Sequence, residues 1–325
     1  GNTRAAATNS CALGRVIGAT YSVVVLMRFF ITVLSLFLSL VLAGWTHAGI
    51  SVQDDSGHRF EFSSAPLKLV SLAPHVTDIL IGLGVRAQIV GVVDDHESRG
   101  AHAVSLSGLP VVADAFSVNE ERLLALRPDI VIVWAEGTPV TRIARLERLG
   151  FRVFVLKTQR LDDLARQLEQ LGILAGQPAL GKQQAMAFRE RLRLMKQQYN
   201  KGPRLRYFYQ VWRQPLYSLH GGHLLSQALA LCGADNILPA GKIAAPLVAP
   251  EFVVQANPHI ILFGKDDAAA SRAFWSRFPS MRAVRDQHLL VVDDLRLARP
   301  GPVLLDAVEP LCRQLQPWRA SATQK

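Results

Sequence analysis

The first 48 residues contain no aspartate and no glutamate, and nowhere in the 325-residue chain do five basic residues stand in a row. The missing basic run counts against an extended nucleic-acid face, which clusters its Lys and Arg, although the formal net charge is +10. No phosphate-cradling loop, nucleophile elbow or zinc-binding helix motif is present, which removes the usual sequence grounds for an enzyme. Cysteine is scarce: of three, only Cys232 and Cys312 lie beyond residue 48. Charge is modest at 19%, whereas 50% of residues are hydrophobic, which excludes a disordered chain. The length suffices for two domains with cores of their own.

The acid-free start holds Arg4, Arg15 and Arg28, then FFITVLSLFLSLVLAGW and Thr46-His47-Ala48. A short basic start, an apolar run and small residues before a break make a secretory signal, with cleavage expected after Ala48. Met27 is a plausible start, and residues 1–26 are expected to lie outside the translated protein. The rival is a membrane anchor, but residues 29–45 would span only about 25 Å of a hydrocarbon core of about 30 Å. No cysteine follows the apolar run, which counts against a lipid-anchored mature end. Beyond residue 48, 33 Lys and Arg against 26 Asp and Glu leave a net charge of +7. An exported chain with an even cysteine pair favours a disulfide; two buried free thiols are the alternative.

Apolar strands then alternate with helices: LKLVSLAP (67–74), IVGVV (89–93), DIVIVW (129–134) and RVFVLK (152–157) read as strands buried on both faces. Such alternation argues a parallel α/β sheet. Ser117 with Glu120 forms a capping-box signature opening a helix at VNEERLLAL. The stretch 178–199, PALGKQQAMAFRERLRLMKQQY, predicts one uninterrupted helix of about 33 Å. Pro178 suits its first turn, and Leu180, Phe188, Leu192, Met195 and Tyr199 form a narrow apolar stripe. A half-solvated rod between two α/β halves reads as a spacer, against the plainer reading of one more helix covering a single sheet. Strand, helix and strand resume with LRYFYQVW (205–212), HLLSQALALCG, HIILFG (259–264), HLLVVDD (288–294) and a closing helix at 303–315.

An internal repeat favours the spacer. VNEERLLALRPDIVIV and VAPEFVVQANPHIILF share a Glu, six further helix residues, a Pro, a polar residue and four apolar β-formers. Glu121 and Glu251 thus occupy matching places near helix N-termini, where the helix dipole stabilises a carboxylate. That accounts for either residue but not for the pairing.

SLAPHVTDIL, IVGVV, EERLLALRPDIVIVW, LERLGFRVFVL and LCGADNI, in this order, resemble the periplasmic binding proteins of ABC importers, specifically the cobalamin-binding group. The likeness runs from about residue 66 to 318. It implies two Rossmann-like α/β lobes bridged by one long helix, with the ligand in the cleft between them. The expected organisation is an upstream stretch and signal (1–48), an N-terminal lobe (49–175), the bridging helix (176–200) and a C-terminal lobe (201–325). By the resemblance, Glu121 and Glu251 dock into arginine pockets of the membrane permease, and Cys232 with Cys312 fall where the family's cobalamin binders form a disulfide. The implied protein is a periplasmic monomer that binds cobalamin or a related corrinoid, without enzymatic activity, cofactor or nucleic-acid partner.

A corrinoid is a broad disc with apolar faces and an amide rim, so its site needs flat aromatic surfaces and a few polar contacts. In open α/β folds ligands gather at the C-terminal edges of the strands. Those edges present Pro74, His75, Asp94, Asp95, His96, Trp134, Gln210, Val211, Trp212, Asp293 and Asp294, with Tyr217 and Phe116 close by. The resemblance places Trp134 and Tyr217 at aromatic positions of the pocket and Asp293 at a polar one. It also shows departures: Asp95, Ala115 and Ala245 stand where well-known members carry Tyr, Trp and Trp. Ordinary packing is the plain alternative for each aromatic. Haem, a siderophore or a metal ion is the alternative ligand, with His75, His96, His102, His220 and His223 as candidate ligands. An exported hydrolase using Asp94, Asp95 and His96, and a scaffold binding only protein, complete the alternatives.

Overall fold

A computed structural model describes residues 49–94, 108–114, 116–293 and 295–321. The expected signal segment, Asp95, His96, His102, Ala115 and Asp294 lie outside the described residues. In chain order the first half contains β1 (Ile50–Gln53), β2 (Arg59–Phe62), β3 (Leu69–Ser71), α1 (Pro74–Gly82), β4 (Ile89–Val93), β5 (Val111–Ala113), α2 (Glu120–Leu126), β6 (Ile130–Trp134), α3 (Val140–Arg148), β7 (Val153–Leu156) and α4 (Leu161–Leu174). Helix α5 (Pro178–Tyr199) follows. The second half contains β8 (Leu205–Trp212), β9 (Tyr217–Ser218), α6 (Leu224–Leu231), β10 (Ala234–Asn236), α7 (Pro250–Ala256), β11 (Ile260–Gly264), α8 (Ala268–Trp275), α9 (Arg282–Arg285), β12 (Leu289–Val292) and α10 (Val303–Ser321).

Each half has its own sheet. The first orders its strands β5-β4-β3-β6-β7, all parallel. The second orders them β10-β8-β11-β12, parallel throughout, with β9 antiparallel on the far end of β8. Continuous apolar runs produce this because helices cover both faces: Ile130, Val131, Ile132 and Val133 are all fully buried, as are Ile260, Ile261 and Phe263. The antiparallel hairpin β1–β2 is clamped to α4, where Gln170 donates to the Gln53 carbonyl at 2.9 Å and Arg166 pairs with Asp55.

Helix α5 spans the 22 residues that its stripe indicates, burying Phe188, Met195 and Tyr199. It crosses α4 at two glycines. A Cβ on Gly172 would stand 2.7 Å from the Gly181 Cα, so neither position accepts a side chain without moving the helices apart. At its far end the buried Arg319 of α10 donates to the Pro203 carbonyl at 2.8 Å and also reaches the carbonyls of Tyr199 and Cys232. Cys232, just past α6, and Cys312 in α10 lie at disulfide distance, with Cα atoms 4.8 Å apart.

The repeat is visible in three dimensions. Leu123 and Val253 are both wholly buried on their helices, and Arg127 and Asn257 end those helices in the left-handed conformation, with φ of 48° and 46°. The expected cap of α2 is corrected: Asn119, not Ser117, accepts the Arg122 N–H at 2.9 Å. Ser117 is held instead by Asp114, which accepts its N–H at 2.7 Å.

Candidate functional site

Polypeptide leaving the C-terminal ends of β3, β4, β5 and β6 encloses a hollow of about 230 Å³ in the first lobe. Pro74 opens α1 at its edge; Asp94, Asp114, Trp134, Gly137, Thr138 and Arg142 complete the polar and aromatic lining. Trp134 is held from two sides. His75 meets it edge-on with ring centroids 5.2 Å apart. Gly137 lies so close that a Cβ there would come within 2.5 Å of the indole. The only residue type that leaves room for the ring at 137 is therefore glycine. His75 itself is enclosed, at 2% exposure, and supports the ring rather than lining the hollow. Neither His75 Nε2 nor Trp134 Nε1 has a hydrogen-bond partner among the described residues.

Phe116 is presented by a tight polar turn. Asp114 Oδ1 accepts the N–H groups of Phe116 and Ser117, each at 2.7 Å, and Oδ2 accepts the Ser117 hydroxyl at 3.0 Å. Arg142 donates to the Phe116 carbonyl. The two backbone N–H bonds, then the Ser117 hydroxyl, hold the Asp114 carboxyl below the usual carboxylate range. The phenyl ring stands 88% exposed.

The second lobe repeats the arrangement with other residues. The ends of β8 and β11 enclose a hollow of about 440 Å³ lined by Gln210, Val211, Trp212, Arg213, Gln214, Gly264, Asp266 and Asp267. Its base is a buried network: Gln210 donates to Ser271 Oγ at 2.6 Å and accepts the Trp275 indole N–H at 2.8 Å. Ser271 donates to Asp267 at 3.2 Å, and Arg213 donates to the same carboxylate at 2.8 Å. Trp212 is 64% exposed, its N–H given to the Gln214 carbonyl at 3.0 Å. Tyr217 is half-buried, paired with Trp212 across β8 and β9 and bridged to Leu247, and lines neither hollow. Asp293 sits exposed in an ion pair with Lys265 at 2.7 Å and lines neither hollow.

The C-terminal edges of the two sheets meet. Arg299, beyond β12, pairs with Asp78 of α1 at 2.9 Å, both side chains at most 15% exposed. Gln227 of α6 donates to the Gln159 carbonyl at 2.7 Å and accepts the Leu161 N–H at 3.3 Å. Each hollow therefore lies at the C-terminal edge of its own sheet, and these edges adjoin. Glu121 and Glu251 are exposed in the first turns of α2 and α7. Among the described residues no cluster of three or more His, Cys, Asp and Glu is placed to hold a metal ion. His220 and His223 each turn Nδ1 to backbone N–H groups, of Gly222 at 3.0 Å and of Leu225 at 3.2 Å.

Of the residues the sequence places at strand edges, Pro74, Asp94, Trp134, Gln210, Val211 and Trp212 line the two hollows; Phe116 lines neither, and Gly137, Arg142, Arg213, Gly264 and Asp267 line them without having been singled out. The repeat extended past its apolar run carried a signal for three of them, since it pairs Trp134 with Gly264 and Gly137 with Asp267.

Burial, then the nearby Arg299 guanidinium, lowers the His75 pKa from 6.5 to about 3. Burial, then His220, lowers that of His223 from 6.5 to about 4. The unfolded chain binds these protons from pH 6.5 downward and the folded chain does not, so stability present above pH 6.5 is lost as pH falls toward 3. Urea unfolding at pH 7 and pH 5 should show a loss of about 2 kcal/mol for each histidine. His75→Phe should remove roughly half of that loss, by the same linkage; an unchanged pH dependence in this variant would contradict the account.

Comparison with known proteins agrees with this architecture. A family model described as periplasmic binding protein matches residues 69–288. A vitamin B12-binding protein of Vibrio cholerae serotype O1 is 33% identical over 250 residues, covering 77% of this chain and 89% of that protein. The crystal structure of the periplasmic vitamin B12 binding protein BtuF of Vibrio cholerae has a TM-score of 0.69 at 31% identity, over 77% of this chain and 97% of that one. A periplasmic heme binding protein from Pseudomonas aeruginosa has a TM-score of 0.63 at 26% identity, over 78% and 93%. Proteins of this kind bind their substrates without transforming them, which settles against the hydrolase. The family match takes in strands of both lobes and the helix between them, and this chain belongs to the periplasmic binding protein family.

Proposed function

We propose that the chain captures cobalamin or a related corrinoid between its lobes in the periplasm, as a monomer, and delivers it to the permease of an ABC transporter. The name of the 33%-identical relative favours this ligand, and the described lining of the two hollows supports it over haem. Haem iron takes an axial His, Cys, Met or Tyr. None of the described residues lining either hollow is of these types. Of the two arginines there, Arg213 is already paired with Asp267. Cobalamin brings its own axial base and a rim of neutral amides, so it needs what the cleft offers: Trp134, Trp212 and Phe116 for contact, and a few hydrogen-bonding groups. On this reading the Met27–Ala48 segment is a removed signal, and Cys232 and Cys312 are disulfide-bonded, as suits an oxidising compartment. Titration calorimetry with cyanocobalamin and hemin tests the ligand. Cyanocobalamin should bind tighter by about tenfold or more, ~1.4 kcal/mol. Tight hemin binding with no cyanocobalamin heat would transfer the proposal to haem.

A further inference from the structure

The two hollows are related by the repeat, and at one matched pair they differ sharply in bulk. Glu121 pairs with Glu251, Leu123 with Val253 and Pro128 with Pro258, an offset of 130 positions (251 less 121). The same offset pairs the buried runs Ile130–Val133 and Ile260–Phe263. One residue further it pairs Trp134, the last residue of β6, with Gly264, the last of β11. Both line the hollow of their own lobe.

In bulk the pair is opposite. Trp134, wedged by His75 and Gly137, occupies the first wall, where about 230 Å³ remains. At Gly264 an added Cβ would meet nothing within 4 Å, and the second hollow measures about 440 Å³. The backbone at Gly264 lies outside the left-handed region, so the conformation does not require glycine. What glycine supplies there is space, on the side that lines the hollow.

A corrinoid has the same asymmetry. In cyanocobalamin one face of the ring carries a single small axial group, and the other carries the nucleotide loop with its benzimidazole. A flat, fixed indole can lie against the first face but would collide with the second. Resting on the corrinoid reading, we infer that the C-terminal lobe receives the nucleotide-bearing face and that Gly264 is the position that admits it.

Cobinamide, which lacks the nucleotide loop, separates this orientation from corrinoid binding as such. Calorimetric titration of the wild type and Gly264→Trp with cyanocobalamin and dicyanocobinamide is the test. Overpacking a filled site should cost Gly264→Trp about tenfold or more in cyanocobalamin affinity, against about threefold or less for dicyanocobinamide. Melting temperatures accompany the titrations; if Gly264→Trp does not fold, Gly264→Leu takes its place, with the same selective loss expected. Equal loss of the two ligands, or no loss of either, overturns the orientation and leaves the corrinoid reading standing. Failure of the wild type to bind either ligand overturns both.

Discussion

Trp134→Ala should weaken corrinoid binding by about thirtyfold or more, because a central aromatic truncated to alanine commonly costs more than about 2 kcal/mol at a binding site. The expectation comes from how the ring is held. His75 meets it edge-on at 5.2 Å, and Gly137 leaves no room for it to turn away. A ligand face therefore meets an indole already in place, with no rotamer entropy left to lose. Trp212 is the instructive contrast. It is 64% exposed and held chiefly by one hydrogen bond to the Gln214 carbonyl, so Trp212→Ala should cost less. Removing the Trp134 ring also leaves a void beside His75, so stability must be measured in parallel. If affinity falls only in proportion to the unfolded fraction, the ring is packing and the wall lies elsewhere.

How far such a wall can be read beforehand depends on where the information resides. Helix α5 is fixed by local signals, a proline at the start and a stripe at helical spacing, and it begins and ends at Pro178 and Tyr199 as they indicate. The parallel sheets follow from apolar runs too continuous to alternate. The repeat was legible because a glutamate, a proline and four β-formers sit close together in sequence. Ser117 shows the limit of such patterns. It satisfies a capping box with Glu120, yet Asp114 captures it, and Asn119 takes the cap. Strand β10 carries Ala-Asp-Asn, which has no β-former, and exists because Leu205–Tyr207 lies beside it.

For the cleft, the edges of the sheets could be named but their contents could not be ranked. Trp134 and Tyr217 look equivalent as aromatics near strand ends. The structure places one on a wall and the other half-buried between β8 and Leu247. His75 looked like a ligand donor and instead props a ring. The Gln210–Ser271–Trp275 network joins residues more than sixty positions apart by single hydrogen bonds. No periodicity records such pairs, and the same holds for Gly172 against Gly181, whose contact depends on the crossing of two helices.

Replacing both Glu121 and Glu251 should abolish uptake through a reconstituted transporter while ligand affinity stays unchanged. Each is exposed, and each stands second in its helix, α2 or α7. Both helices close on a left-handed residue before a proline, so the two carboxylates are carried by equivalent supports. If their role were only to complement helix dipoles, each alanine would cost about 0.3–1 kcal/mol of stability and leave transport intact. Helices of seven residues make that benefit small, and Glu120, which pairs with Arg145, already supplies a carboxylate to the first turn of α2. Docking onto basic groups of a permease predicts a different pattern. Charge pairs across such interfaces couple by about 1.5 kcal/mol or more, so each single variant should slow uptake by roughly tenfold. The double variant should lose the product of the two effects, and Glu121→Arg with Glu251→Arg should lose more, since like charges would meet. Uptake by proteoliposomes containing each variant, with calorimetric affinity and melting temperature as controls, decides between the two roles. Normal transport by the double alanine variant would remove docking from the account and leave the two glutamates as helix-terminal charges.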